Sequence, residues 1–241
     1  MLYLSRLILD IRHRQARRDM GDAYQLHRTV LGAFPAAPVG SQAREHFGLL
    51  YRAEPVEGAP TLVRLLIQAN VAPDWSKLPP DYLGLAPDNR GNPAVRPVGA
   101  EYATITDGTR LVFRLRANPT KRLSDRTPGR ADPLVGKRVA LLREDEQLAW
   151  LARQGERHGF RLLTTERSPE VPEARAAVQT TTHGQRPTQG ESAPMRLSFG
   201  AVLFSGRLEV TEAASFRKTL ATGIGSGKAF GFGLLSIAAI R

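Results

Sequence analysis

The chain opens on MLYLSRLILD, an apolar run interrupted at Arg6 and Asp10, which predicts a strand over residues 2–9. The period then changes. In DAYQLHRTVLGAF, Leu26, Val30, Ala33 and Phe34 fall on one stripe at about 100° per residue, the pattern of a helix over 23–34 with Asp22 as its N-cap. Strands at 45–53 and 60–69, a short helical stretch around 72–84 and a strand near 93–103 complete a βαββαβ order. That order is the ferredoxin-like one, shared with the RNA-binding RRM. APDNRGNPAVRPVG, residues 86–99, is turn-rich, and the TDGT turn at 106–109 divides a first domain, 1–106, from a second, 107–241.

The second half repeats the pattern. TRLVFRLRA at 109–117 reads as a strand, GKRVALL at 136–142 as a short apolar segment of strand size, 143–157 as a helix and Phe160–Leu163 as a strand. SFGAVLFSGRLEV at 198–210 alternates like one long strand with room for a bulge at Gly206, EAASFRKTL at 212–220 is helical, and GFGLLSIAAI is a buried last strand. The predicted class is α+β, two tandem ferredoxin-like domains. Residues 164–197, rich in Pro, Thr, Gln and Arg, fit neither unit and predict a protruding loop or hairpin.

Charge narrows the function. The formal net charge is +11, which favours an anionic partner: nucleic acid, a membrane surface or an acidic protein. Between Arg110 and Arg138 nine basic residues face only Asp125 and Asp132, a surplus of +7, and Arg12, Arg14, Arg17 and Arg18 form a second cluster. One such run is ordinarily a solvated surface; two in so basic a chain point to nucleic acid. With no cysteine there is no disulfide framework, thiol nucleophile or Cys-ligated zinc. The opening run, carrying Arg6 and Asp10, reads as neither signal peptide nor membrane span, so a cytoplasmic protein is expected.

Three motifs bear chemistry. Tyr24 and His27, spaced i, i+3, are neighbours on the first helix, with Arg28 one turn beyond Tyr24; His27 borders the apolar stripe, where it is either a packed histidine or one that reaches a ligand. GIGSGKAFGFG contributes Gly223, Gly225, Gly227, Gly231 and Gly233, a loop able to aim N–H groups at phosphates. It is no P-loop, because Thr222 stands where the first glycine belongs and Ala229 replaces the magnesium-holding Ser or Thr. FRLRANPTKR, residues 113–122, is a basic strand stopped by Pro119. His13, His46, His158 and His183 form no metal-ligand spacing, so neither metal nor cofactor is expected.

In order and spacing, YLSRLIL, the Tyr-x-x-His-Arg of the first helix, FRLRANPTKR, GKRVAL, EQLAWL, AVLFSGRLEV and GIGSGKAFGFGLLS resemble the CasE family, the repeat-processing ribonucleases of the type I-E CRISPR Cascade complex, grouped with the RAMP proteins. The likeness runs nearly end to end and thins in 70–100 and 164–197. It implies a tandem ferredoxin-like fold, cleavage of CRISPR repeat RNA at the 3′ base of a stem-loop and retention of the product; metal-independent chemistry, association with other Cascade subunits and a monomer when free are expected beside it. It implies His27 and Tyr24 as the catalytic pair and RNA contacts from Arg116, Asn118, Lys121 and Arg122 beside the glycine loop, and the basic clusters add Arg17, Arg18, Arg28, Lys137, Arg138, Arg167 and Lys228 as expected RNA contacts. Arg167, Arg175, Arg186 and Arg196 would engage the stem from the polar segment. One departure stands out: some relatives carry a lysine on the turn after the histidine, where this chain has Val30, Leu31, Gly32 and Ala33. Arg28, Arg17, Arg18 or Lys228 would then meet the transition-state charge.

The chemistry agrees without the resemblance, since RNA brings its own nucleophile, the 2′-OH. An enzyme need only align it, move protons and stabilise charge, and histidine titrates in the right range. The alternatives are a non-catalytic RNA-binding subunit in which His27 is incidental, a nucleotide-dependent enzyme using the glycine run, and a structural RNA protein of the ribosomal kind.

Overall fold

In the first half, β1 (Tyr3–Asp10) leads to helices α1 (Arg14–Gly21) and α2 (Ala23–Leu31), the single turn α3 (Ala43–His46), β2 (Leu50–Val56), β3 (Ala59–Ala69), β4 (Ala94–Pro97) and the short helix α4 (Gly99–Ala103). The second half runs β5 (Arg110–Ala117), β6 (Thr120–Arg122), β7 (Arg138–Ala140), α5 (Glu144–Arg157), β8 (Phe160–Leu162), β9 (Thr164–Thr165), β10 (Ser168–Pro172), β11 (Ala174–Val178), β12 (Thr182–Arg186), β13 (Met195–Phe199), β14 (Val202–Val210), α6 (Ala213–Thr222) and β15 (Leu235–Ala239). This computed structural model describes residues 1–88, 90–123, 136–165, 168–179, 181–186 and 195–240. Arg126, Arg130 and Arg167 lie outside the described residues, as do the side chains of Arg186 and Arg196.

The result is a mixed α+β fold with two antiparallel main sheets. The first has the order β2-β3-β1-β4 and the second β11-β14-β5-β15, with β8 also paired to β14. Strand β5 shows why a sheet forms: Leu111, Phe113, Leu115 and Ala117 are buried while Arg110 and Arg114 face outward, the period of two that pleating imposes. One apolar cluster packs Leu26, Val30, Ala33 and Phe34 of the predicted stripe against Leu7, Leu9, Leu65 and Ile67. The other gathers the β5 residues with Trp150, Phe204, Phe216 and Leu235. Among the described residues no helix is long and apolar enough to cross a membrane.

Several local expectations give way. The predicted helix at 23–34 ends at Leu31 and is preceded by a separate helix, α1, which carries Arg14, Arg17 and Arg18. Asp22 divides the two: its extended backbone ends α1, and its carboxylate accepts from the Tyr24 N–H at 2.9 Å to start α2. The strand placed at 45–53 begins only at Leu50, after the α3 turn. Residues 72–84 hold only a 3-10 turn, Trp75–Lys77, because Pro73, Pro79 and Pro80 supply no N–H to extend it. The strand near 93–103 is Ala94–Pro97, followed by helix α4. No bulge forms at Gly206. The register runs unbroken from Val202 opposite Ala117 to Glu209 opposite Arg110, and a Cβ at Gly206 would lie 2.2 Å from the Glu173 carbonyl oxygen. The chain breaks instead at Gly200–Ala201, between β13 and β14.

The polar segment 164–197 is more than a projection. Its strand β11 joins the second sheet, and β12 pairs with β13 in a hairpin that packs beside α2. The two halves are stitched by buried polar contacts. The Arg52 side chain donates to the carbonyls of Arg114 and Leu234 at 3.1 Å each while paired with Glu54, and Gln68 donates to the Leu220 carbonyl at 2.6 Å. Such groups are stable when buried only because each finds a partner.

Candidate active site and basic grooves

His27 projects from the middle of α2, one turn after Tyr24. Its half-buried ring stacks on Tyr51 of β2, centroids 6.2 Å apart and planes inclined by 22°. Nδ1 is buried with no hydrogen-bond partner among the described residues. Burial first, and then the charge of Arg44, push the imidazole down to about 4, so it is neutral near pH 7 and able to accept a proton. Tyr51 is fully buried; burial holds its phenol far above the usual range, and the hydroxyl donates to the Ala229 carbonyl at 2.7 Å. One tyrosine thus fixes both the histidine ring and the glycine-rich run.

That run is a closed loop. Ile224 N–H donates to the Gly233 carbonyl at 3.0 Å, Gly233 N–H to that of Arg116 at 2.8 Å, and Phe230 N–H to that of Gly227 at 2.8 Å. Gly223, Gly225, Gly227, Gly231 and Gly233 all have positive φ. At Gly231 the reason is space as well as φ, since a Cβ would meet the Tyr51 ring at 3.2 Å and Arg116 Nη1 at 3.5 Å. Arg116 sits 4.5 Å over the Phe232 ring and donates to Gln179 at 2.7 Å and to Thr182 at 2.6 Å. It therefore fastens the β12 hairpin to strand β5, with its guanidinium engaged by protein groups.

Asn118, Lys121, Arg122 and Arg138 line one groove of about 970 Å³ between the β6–β7 ribbon, α5 and the glycine loop. Lys121 is paired with Glu146 at 2.7 Å, and Arg122 donates to the Gly136 carbonyl at 3.0 Å. Arg153 and Arg157 complete the groove from consecutive turns of α5. Lys137 is exposed at the ribbon's edge. Arg17 and Arg18 line a second, smaller basic groove on α1 with His13 and Arg14, and Arg28 is exposed on α2. Arg175, on β11, lies in a different cleft, with Arg52, Arg64, Arg114 and Arg207 between the two sheets.

Residues 2–239 match the model of a protein family described as CRISPR associated protein. The chain is 41% identical over 237 residues to the CRISPR-associated endoribonuclease Cse3 of Thermus thermophilus, covering 98% of this chain and all of that one. It belongs to the Cse3/CasE family of CRISPR-associated endoribonucleases. The Cascade subunit CasE of Escherichia coli is 27% identical over 250 residues, with 98% and 99% covered. Thermus thermophilus Cse3 bound to an RNA representing a pre-cleavage complex superposes with a TM-score of 0.72 at 37% identity, over 98% of each chain.

For a Cse3/CasE chain the turn after His27 holds no cation: Val30 and Ala33 are buried and Gly32 caps the helix. One cation, Arg44, acts electrostatically on His27 from another element, and Lys228 lies near Arg44. Arg44, on α3, is paired with Glu45 at 2.9 Å, and its charge depresses His27. Lys228 lies in the 3-10 turn of the glycine loop, next to Ala229, and is lowered by burial and then by Arg44. The sequence named Lys228 among four possibilities; it did not single out Arg44, Tyr51, Arg153 or Arg157. Only the last two left a trace, as basic residues four apart on the polar face of a helix.

Proposed function

We propose that this chain is an endoribonuclease that cuts CRISPR repeat RNA at the base of a stem-loop by transesterification and keeps the product bound. The observation that carries the reading is a neutral, half-buried His27 beside the glycine loop, flanked by basic grooves, in a chain 41% identical over nearly its full length to an endoribonuclease. His27 takes the proton of the 2′-OH. In the free protein it is a weak base, and a scissile phosphate brought against it favours the protonated form and raises its basicity as the reaction needs. Tyr24, one turn away, donates a hydrogen bond to the 2′-oxygen or the phosphate, a phenol being a poor base near neutral pH.

Lys228 and Arg44 meet the charge of the phosphorane in place of a lysine on the α2 turn. The products are a 2′,3′-cyclic phosphate and a 5′-hydroxyl, and no step requires a metal. Asn118, Lys121, Arg122, Lys137 and Arg138, with Arg153 and Arg157, hold phosphates of the stem, as do Arg17, Arg18 and Arg28 on the helical side. We read residues 1–106 and 107–241 as two ferredoxin-like domains, since both sheets place their strands in the order second-third-first-fourth. By analogy with the Escherichia coli Cascade subunit, the product-bound chain is retained by other Cascade subunits; as our own reading, it works in the cytoplasm and is a monomer when free.

The test is purified protein with its CRISPR repeat RNA in EDTA, with both new ends mapped. A single cut leaving a cyclic phosphate and a 5′-hydroxyl is expected. Tight binding with intact RNA would refute the nuclease and leave an RNA-binding subunit.

A further inference from the structure

Arg116 belongs to the basic stretch that the resemblance places near RNA, yet its half-buried side chain is turned onto the protein. Nε donates to the Gln179 side chain at 2.7 Å and Nη2 to the Thr182 hydroxyl at 2.6 Å. Gln179 follows β11 and Thr182 opens β12, so one guanidinium clips the connection between those strands. The same group lies 4.5 Å over the Phe232 ring, with Nη1 3.5 Å from the Gly231 carbonyl, and the backbone carbonyl of Arg116 accepts from the Gly233 N–H at 2.8 Å. The residue thus grips the hairpin connection on one side and the glycine loop on the other.

Both of these border the candidate catalytic groups. On the hairpin, Gly184 of β12 is buried against the first turn of α2: a Cβ there would lie 3.7 Å from the Tyr24 amide nitrogen and 3.8 Å from the Asp22 carboxylate that caps the helix. The same Cβ would lie 3.7 Å from the Phe230 ring, which in turn stacks on Phe199 of β13 with centroids 4.9 Å apart. On the loop, Gly231 packs against the Tyr51 ring, and that ring stacks on His27. Arg116 therefore reaches Tyr24 through the hairpin, and His27 through Gly231 and Tyr51.

We propose that Arg116 is a positioning residue for cleavage and not a phosphate contact: by latching the β11–β12 connection to the glycine loop, it fixes helix α2 and that loop relative to each other. The inference rests on the RNA-cleaving reading and adds to it a residue outside the reacting groups. An arginine that binds phosphate offers its planar fork of donors to two oxygens at once. Here the fork is engaged by Gln179 and Thr182, and a phosphate would have to displace both. Loosening the latch should act on rate rather than on affinity, because a misplacement of about 1 Å at the reacting groups can lower a rate by about 100-fold.

The experiment breaks the latch from each side. Arg116→Met keeps an apolar stem over Phe232 and removes the fork, whereas Gln179→Leu with Thr182→Val removes the acceptors and leaves the guanidinium in place. Each protein is measured with CRISPR repeat RNA for affinity as a function of salt, and for single-turnover cleavage at saturating protein, expressed per RNA bound. Both variants should cleave about 10- to 100-fold more slowly, with Kd within a few fold and an unchanged salt slope. The three substitutions combined should lose no more than Arg116→Met alone, since all of them open one latch. A salt slope reduced by about one in Arg116→Met, with normal behaviour of the Gln179 and Thr182 variant, would make Arg116 a phosphate contact and overturn the inference. Cleavage at the wild-type rate by either variant would overturn it as well. Should Arg116→Met fail to fold, the Gln179 and Thr182 variant decides the matter by itself. Intact RNA with the wild type would instead sink the nuclease function.

Discussion

His27 links stability to pH in a way that can be isolated. Its folded pKa is about 4 against 6.5 when free, because burial disfavours the cation. The unfolded chain therefore binds this proton more readily, so the contribution of a neutral His27 is complete above the free value and is lost as the pH falls from there toward 4. The whole difference corresponds to about 3 kcal/mol, of which about 2 kcal/mol falls between pH 7 and pH 5. Urea denaturation of the wild type and of His27→Gln across that interval measures it. Other groups titrate alike in both proteins and cancel, including His158, which is also lowered by burial, so the wild type should lose about 2 kcal/mol more than the variant. Catalysis gives a second readout. The acidic limb of kcat/KM, which reports the free enzyme, should lie near pH 4 to 5, with that of kcat displaced upward by the bound phosphate. Parallel stability profiles for the two proteins, or a kcat/KM limb near 6.5, would refute the burial of a neutral imidazole.

His27→Ala should lower cleavage by about 100-fold or more while stem-loop affinity, read by filter binding, stays within a few fold, because phosphate contacts dominate affinity. Tyr24→Phe should cost less, and an equal loss would give Tyr24 a proton-transfer role. Tyr51→Phe leaves the Ala229 carbonyl without its donor and should destabilise the protein by about 1 to 2 kcal/mol, lowering the melting temperature by roughly 2–8 °C, with cleavage falling more than binding. Lys228→Met and Arg44→Met, compared in single-turnover cleavage at saturating protein, should separate the cations: the one facing the phosphorane should cost about 100-fold, and two small losses would argue against both. Arg153→Gln with Arg157→Gln should reduce the salt dependence of binding by one to two phosphate contacts without moving the cleavage site.

What could be read along the chain was whatever depends on local period. The α2 stripe of Leu26, Val30, Ala33 and Phe34 is buried, and β5 alternates as its residues require. Short elements escaped because single turns decide them. Gly48, at φ +57, turns the chain between α3 and β2, and no hydrophobic pattern over 45–53 records that. Gly206 suggests a bulge along the chain, yet its small size answers to the backbone of Glu173 and Ala174, on a strand that no pattern in 164–197 places there. Tyr51 was invisible for the same reason: its hydroxyl meets a carbonyl 178 residues further along the chain. Arg44 is not singled out along the chain because nothing near it in sequence says that its charge falls on His27.

The placing of these long-range contacts bears on how the site can work. His27 and Tyr51 come from the first half, whereas the loop that Tyr51 holds, with Lys228 in it, comes from the second. Arg116 ties that loop's strand to the β12 hairpin lying on α2. The environment that keeps the imidazole neutral is thus made by both halves together, and the groove between β6–β7 and α5, where we propose the RNA stem lies, is lined by the same loop at Gly225 and Ser226. Binding energy gathered along the stem can then be passed to the reacting phosphate through a short, hydrogen-bonded loop instead of a flexible arm. Precise positioning of this kind is where a metal-free ribonuclease must find most of its rate.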